Sequence, residues 1–464
     1  MARLWFMLLV PVLLGAGSAK ATAPRDAPVT FSETVAPIVY ANCVTCHRPG
    51  EAAPFSLITY ADVKKKGRLI AEVTESRYMP PWRAAHGYGE FADERRLTEA
   101  QIATLGEWVK QGMPEGDPRK MPALPKFPEG WHLGTPDLVL KMPASCELPA
   151  SGPDVYRNFV IPTHLAENKW VRAIEFRPGA RKAVHHALFA YDTSGAAAKQ
   201  DGRDGRPGFG GMGTAGIVSG GGGPLGGWAV GATPMFFPAG VALPLPKESD
   251  LILQMHFHLT GKPETEQATV GIYFTDQAPE RRLWAVQTPA LFGFGAGIDI
   301  PPGEKQYVVE DSVTLPVDMK AIFVAAHAHY LAKEMKATAT LPDGSTQPLL
   351  WIKDWDFNWQ DRYTYKTPVP LPKGTRIDVR LVYDNSPDNP HHPSPSSPKR
   401  VLWGEQSFDE MGTVTVAMQA LRVEDEPALQ RAIAARTQAA IGRGMANGTL
   451  KRYLDGRGGR AGGQ

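Results

Sequence analysis

"DLILQMHFHLTG", residues 250–261, alternates apolar and polar side chains from Leu253 onward and ends in a Thr-Gly turn. A period of two marks a strand with one face in a core. His256 and His258 lie two apart on it, so they point to the same side. Runs of the same texture, "DLVLKM" (137–142), "WVRAIEF" (170–176) and "RIDVRLVY" (376–383), are separated by Pro, Gly and Asp turns. The region is too long for one sandwich, and the spacing predicts two antiparallel, jelly-roll-like β-sandwiches over 136–290 and 291–425. The glycine-dense stretch 201–227 reads as a surface loop. Residues 426–441 read as a helix, and the Gly- and Arg-rich end of 426–464 as disordered.

Toward the N-terminus the period changes. Residues 31–42 ("FSETVAPIVYAN") read as a short helix, and "TYADVKKKGRLIAEV" begins with Thr59 as N-cap and Asp62 three residues on. In "LTEAQIATLGEWVKQGM", Thr98 and Gln101 form a capping box, Ile102, Leu105 and Val109 one apolar stripe, and Gly112 the stop. Residues 22–118 are therefore expected to form a small all-α domain, and 119–135 a proline-rich linker. The chain as a whole is expected to be multidomain and mainly β.

"MARLWFMLLVPVLLGAGSAKA" combines an early Arg3, a short apolar run broken by Pro11, and a small-residue ending. That is the pattern of a secretory signal over residues 1–21. Its removal takes Arg3 and Lys20 and leaves 48 basic against 48 acidic residues, a balance that argues against a nucleic-acid partner. No later stretch is long and apolar enough to span a bilayer. The expected product is exported, periplasmic or secreted. Of three cysteines, two sit in one short motif, which leaves Cys146 with no partner inside the chain and predicts a fold free of disulfides.

That motif is "NCVTCHRPG" (42–50), with Cys43, Cys46 and His47 in the spacing that attaches a c-type haem through two thioethers. His47 would be the proximal iron ligand. For the opposite side, "RYMPPW" offers Met79, its loop stiffened by two prolines, with Met113 and His86 as rivals. A thioether ligand raises the haem potential, which suits an electron carrier.

Four further histidine groups occur in the β region: "AVHHALFAY", "LILQMHFHLTG", "FVAAHAHYLAKEM" and "DNPHHPSPSSP". His391 and His392, among prolines, read as a solvated turn. His327 and His329 can reach one metal because residues two apart on a strand share a face. His185 and His186 are adjacent and can share an ion only if their strand bulges. Three such groups favour metal binding over core histidines, and imidazoles suit zinc, copper, iron or nickel. No H-E-x-x-H places a general base for a zinc hydrolase, and no cysteine near a histidine pair supports a blue-copper site. Met411, in "WGEQSFDEMGTVTVAM", opens another strand and read alone is a core residue.

In that order these segments resemble the copper type II, ascorbate-dependent monooxygenase family, which includes peptidylglycine α-hydroxylating monooxygenase and dopamine β-monooxygenase. The resemblance covers about residues 136–420. "VHHALFAY" and "LQMHFH" are similar to the segments that hold the electron-transferring copper, which implies His185, His186 and His256. "AAHAHYLAKEM" and "DEMGTVTV" are similar to those that hold the oxygen-activating copper, which implies His327, His329 and Met411. "GWAVGATPMFFPAG" resembles the loop before the third-histidine strand.

The resemblance implies two copper domains and hydroxylation of a C–H bond of a small organic substrate with O2. Ascorbate, or a redox partner protein donating to the haem, would supply the electrons. His258 is an extra residue, a candidate for a supporting or alternative ligand. Two positions depart from the peptide-amidating pattern, Ala325 standing for an arginine and Thr415 for a tyrosine, which argues against a glycine-extended peptide as substrate. The largest departure is the haem domain, expected to pass electrons to the three-histidine copper from the end of a tether. A reading of another class is a non-catalytic haem and copper electron-transfer or copper-binding protein.

Overall fold

The computed structural model describes residues 28–460 except 52, 93, 128–129, 212–221 and 231. The chain is mainly β, with antiparallel sheets and few helices. Residues 1–27, with the secretory signal expected over 1–21, and the last four residues lie outside the described part.

The helical front comprises Phe31–Val35 running into Ala36–Asn42, then Tyr60–Glu75 and Glu99–Lys110. Both expected capping boxes form, Thr59 with Asp62 and Thr98 with Gln101, so each helix begins where its first free N–H groups find side-chain acceptors. Phe31, Val35, Val39, Val63, Leu105 and Trp108 pack into a core of their own.

The first β region stacks two sheets. One orders Leu138–Lys141, Thr269–Thr275, Lys169–Arg177 and Leu243–Leu245. The other orders Phe209–Gly210, Val155–Pro162, Asp250–Phe257, Val184–Asp192 and Gly222–Ala229. Leu251, Leu253, Met255 and Phe257 face the core with Phe176, Phe159 and Val270. The period of two therefore turns Gln254 and His256 to the opposite face.

The second β region repeats the arrangement. One sheet is ordered Trp284–Thr288, Gly412–Ala420, Met319–Ala328 and Arg362–Leu371, the other Tyr307–Thr314, Arg376–Tyr383, Ala332–Thr340 and Thr346–Ile352. Val324, Ala326, Ala328, Val414 and Val416 fill the core. His327 thus falls on the outer face, toward the first sandwich.

Three expectations need correction. The glycine-dense stretch is not wholly a loop, because Phe209–Gly210 and Gly222–Ala229 are edge strands. Gly223 is needed there because a Cβ would come within 2.7 Å of the Tyr191 ring. The tail is helical over Glu426–Ala446 and again over Thr449–Arg460, where disorder was expected. The first of these helices buries Leu429 in the second core, and Gly444 admits the Phe294 ring, so tertiary packing supplies what the sequence pattern lacks.

The front unit is also docked rather than loosely tethered. Ala85 N–H donates to Trp351 (2.7 Å), Ala92 N–H to Thr364 (2.8 Å), and Lys366 N–H to Glu90 (2.9 Å). Arg83 binds Asp356 at 2.7 Å with both side chains buried, and Arg95 pairs with Asp361. Glu51, four residues after His47, reaches Arg181 of the first sandwich at 3.1 Å. Among the described residues no helix is long and apolar enough to cross a membrane.

Candidate metal centre

The two outward faces meet, and histidines from both lie at the meeting point. His186 sits directly opposite His256 in the ladder, with a register shift between Val184 and His186. That irregularity is the bulge the adjacent pair required, and it brings His185 to the same side. The three rings can place one nitrogen each within 4.8 Å of one another. His186 Nε2 and His256 Nδ1 are 3.1 Å apart, and both ring nitrogens of His185 are shut off from solvent without a hydrogen-bond partner. A buried imidazole with neither nitrogen bonded is costly unless an ion takes one, so this donor set fits a metal.

The second set lies beside it. His327 and His329 have ring centroids 5.3 Å apart, and His327 comes within 6.0 Å of His186. His327 Nδ1 is held by the Gln360 amide oxygen at 2.6 Å and His329 Nδ1 by the Asp409 carbonyl at 3.1 Å. Each bond fixes the tautomer and leaves Nε2 free. The register pairs His327 with Thr413 and Ala328 with Gly412. The ladder ends there: His329 lies one residue past the end of its strand and Met411 one residue before the start of its own, and the backbone N–H groups of both bond Glu410 Oε1. Met411 is 1 % exposed yet belongs to none of the apolar core clusters.

Burial pushes the pKa of all five rings down, well below the ordinary histidine value for His185, His186 and His329, and to about 4 for His327. Neutral imidazole is the form that binds a metal. His258 behaves differently. Its hydrogen bond to Asp154 pushes its pKa up, and it stands 54 % exposed.

Several residues that shape the centre were not read from the sequence. Asp154 accepts from His256 Nε2 (3.0 Å) and His258 Nδ1 (3.1 Å), and it bonds Ser407 of the second sandwich. Tyr156 stacks on His256 at 4.3 Å. Glu410 is a buried clamp: Oε1 accepts His329 N–H (2.6 Å) and Met411 N–H (2.8 Å), and Oε2 accepts Leu331 N–H (3.0 Å). Burial pushes its pKa up to about 8 against the pull of those three donors.

The segment "WDFNWQ" (355–360) supplies three more supports. Phe357 stacks on His185 at 4.1 Å and lies 5.9 Å from His329, Trp355 Nε1–H donates to the His329 carbonyl, and Gln360 holds His327. Its only sequence signal is three aromatic residues in six. Beside the centre, Ala325 pairs with Thr415 on one side and Arg362 on the other, and the Arg362 guanidinium lies over Phe323 at 5.1 Å. His392 is buried and satisfied by Asn385 (2.9 Å) and Ser394 N–H (2.9 Å), a structural role rather than the expected solvated turn.

In the helical front, Cys43 and Cys46 are both free, and burial pushes Cys43 up to about 12. His47 Nδ1 is 3.1 Å from the Phe55 carbonyl, which leaves Nε2 for a ligand. Met79 lines a cleft with Thr74, Trp82, Arg95, Leu97 and Ile102. His86 is 69 % exposed and pairs with Glu94, and the Met113 sulfur packs so closely on Gly67 that a Cβ there would come within 2.4 Å. Of the three residues read as candidates for the second axial position, Met79 lines this cleft, whose lining includes none of Cys43, Cys46 and His47.

No family model matches the chain, and no curated protein does. Among solved structures, the VP2 subviral particle of infectious bursal disease virus is 10 % identical, over 61 % of this chain and 72 % of that one, with a TM-score of 0.16. PNGF-II is 10 % identical, over 61 % and 65 %, with a TM-score of 0.25. Likenesses of this size carry no argument, so function rests on the chain's own residues.

Proposed function

We propose that this chain is an exported, copper-dependent monooxygenase that hydroxylates a C–H bond of a small organic substrate with O2, its electrons entering through a covalently attached c-type haem. The observation that carries this reading is the convergence, on two facing sheets, of a three-histidine cluster and a two-histidine pair, with the buried Met411 tied to His329 through Glu410.

Copper held there would supply one-electron chemistry and O2 activation, and a thioether in the donor set favours the cuprous ion. The residues' own work is to hold and orient. Gln360 and the Asp409 carbonyl fix the protons of His327 and His329 on Nδ1, Asp154 fixes that of His256 on Nε2, and Phe357 stacks on His185 and packs near His329. His47 and Met79 would bind the haem iron and Cys43 and Cys46 its vinyl carbons, giving a cytochrome c-type domain. The likeness to the copper type II, ascorbate-dependent family, with ascorbate as a candidate reductant, belongs to the same proposal.

Metal and haem analysis of the purified protein, joined to O2 uptake under reducing conditions, tests it. The expected result is two coppers and one haem per chain with substrate-dependent O2 consumption. Cys43→Ser with Cys46→Ser should abolish turnover driven by a cytochrome-level donor. Zinc in the histidine site would sink the proposal. Full metal loading with no O2 uptake would favour the second reading, a non-catalytic electron carrier, which the close approach of His186 and His327 also suits.

A further inference from the structure

Leu291, Phe292 and Gly293 are three successive left-handed residues, with φ of 52°, 54° and 85°. Glycine adopts that conformation freely, but large L side chains visit it singly and at a cost. Two in a row persist only where the surroundings impose them. Core packing is not the reason, because both side chains are partly exposed and neither joins an apolar core cluster. The turn instead sets the Phe292 ring against His327, with centroids 5.2 Å apart and planes nearly perpendicular. His329 and His186, the other two rings beside His327, are donors of the centre. Phe292 can bind no ion, so it faces the centre with hydrocarbon.

What holds the turn comes from the end of the chain. Trp403 Nε1–H donates to the Phe292 carbonyl at 3.0 Å. The Trp403 ring packs on Phe294 at 4.9 Å and on Tyr453 of the helix Thr449–Arg460 at 5.5 Å, and the Tyr453 hydroxyl bonds Glu405. Gly295 lies so near the helix Glu426–Ala446 that a Cβ there would come within 2.4 Å of the Ala440 carbonyl oxygen.

We propose that Phe292 is a specificity-determining wall of the substrate site beside His327, fitted to an apolar, C–H-rich body, and that the tail helices set its position through Trp403. Trp403 is then a positioning residue, and the tail takes part in substrate choice. This inference rests on the copper reading above.

The test is calorimetric binding of toluene and tert-butylbenzene to the copper-loaded full chain. Phe292→Gly removes the ring where glycine suits the backbone, Phe292→Leu keeps part of it, and Trp403→Phe keeps the distant ring without its donor. One methylene more or less in an apolar pocket is worth tenfold or more, so the ratio of the tert-butylbenzene to the toluene dissociation constant should fall about tenfold in Phe292→Gly. Phe292→Leu should fall between, and Trp403→Phe should move the ratio the same way as Phe292→Gly, which lost stability alone would not do. Azide affinity, followed in the copper EPR signal, should rise in both Phe292→Gly and Trp403→Phe as the ring ceases to crowd His327. Trp351→Phe, whose Nε1 donates to Glu334, is the control and should change neither reading.

If Phe292→Gly or Trp403→Phe matches wild type in both readings, or if neither probe binds, the proposal is overturned while the copper reading stands. An equal shift in Trp351→Phe overturns it as well. The expected pattern without any O2 uptake would sink the monooxygenase and leave the wall in place. Wild type that binds no copper sinks both.

Discussion

Glu410→Gln is the sharpest probe of the centre, because one side chain holds both ligand-bearing segments. Its two oxygens accept three buried backbone N–H groups, from His329, Met411 and Leu331. Measurements belong above about pH 8, where the carboxylate is ionised despite its raised pKa; there glutamine offers one acceptor oxygen of the same reach in place of two. In its best orientation it keeps His329 and Met411 and turns its NH2 toward the Leu331 N–H, so donor meets donor. One unpaired buried donor costs about 1–3 kcal/mol. At roughly 2–4 °C per kcal/mol for a domain of 150–250 residues, and more for a smaller one, Tm should drop by several degrees. Glu410→Ala strands all three donors, ~3–9 kcal/mol, a large share of a typical domain's ~5–15 kcal/mol, and should not accumulate folded. Loss of such a support weakens metal binding by roughly 10–100-fold. Thermal unfolding by circular dichroism, with and without copper, and competition against a Cu(I) chelator read both effects. A glutamine variant with wild-type Tm and wild-type copper affinity would refute the clamp.

Asp154→Asn should lower copper affinity of the three-histidine cluster by about 10–100-fold, since His256 loses the carboxylate that fixes its ring, whereas His258→Ala should change it little; chelator competition separates the two. Arg83→Met leaves Asp356 buried without its partner and should cost about 3–5 kcal/mol, measured by chemical denaturation, with protease cleavage appearing first near residues 82–95. Glu175 supplies a pH prediction. Burial works to raise its pKa, but hydrogen bonds from His132, Leu133 and Arg177 outweigh it and the pKa is lowered. Its contribution is therefore complete above the ordinary carboxylate value of about 4.3 and is lost as pH falls through the lower folded value. Wild type should lose stability below about pH 4.3 more steeply than Glu175→Gln, and parallel acid limbs would contradict this.

Much of the chain was legible because local rules sufficed. Capping boxes at Thr59 and Thr98 and the alternation around Leu253–Phe257 are set by neighbours in sequence, and the structure follows them. The bulge at His185–His186 was legible as a condition: two adjacent histidines converge only if the strand breaks register. What local rules could not reach were groups whose role depends on distant partners. Asp154, Glu410, Phe357 and Gln360 carry no spacing signature, because each acts on a ring brought near it by folding. The tail helix and the glycine-rich edge strand were misread for the same reason, their support being the Phe294 ring and the strand Val184–Asp192.

The sequence by itself determined the parts: strands by their period, helices by their caps, and which histidines share a face, since these follow from backbone geometry repeated every two or 3.6 residues. Only the tertiary structure decided that the two histidine faces oppose one another, that residues 82–95 dock on the second sandwich, and which polar side chains hold the rings. Those outcomes depend on packing between segments up to some 270 residues apart, as Arg83 with Asp356, and no local pattern encodes that distance.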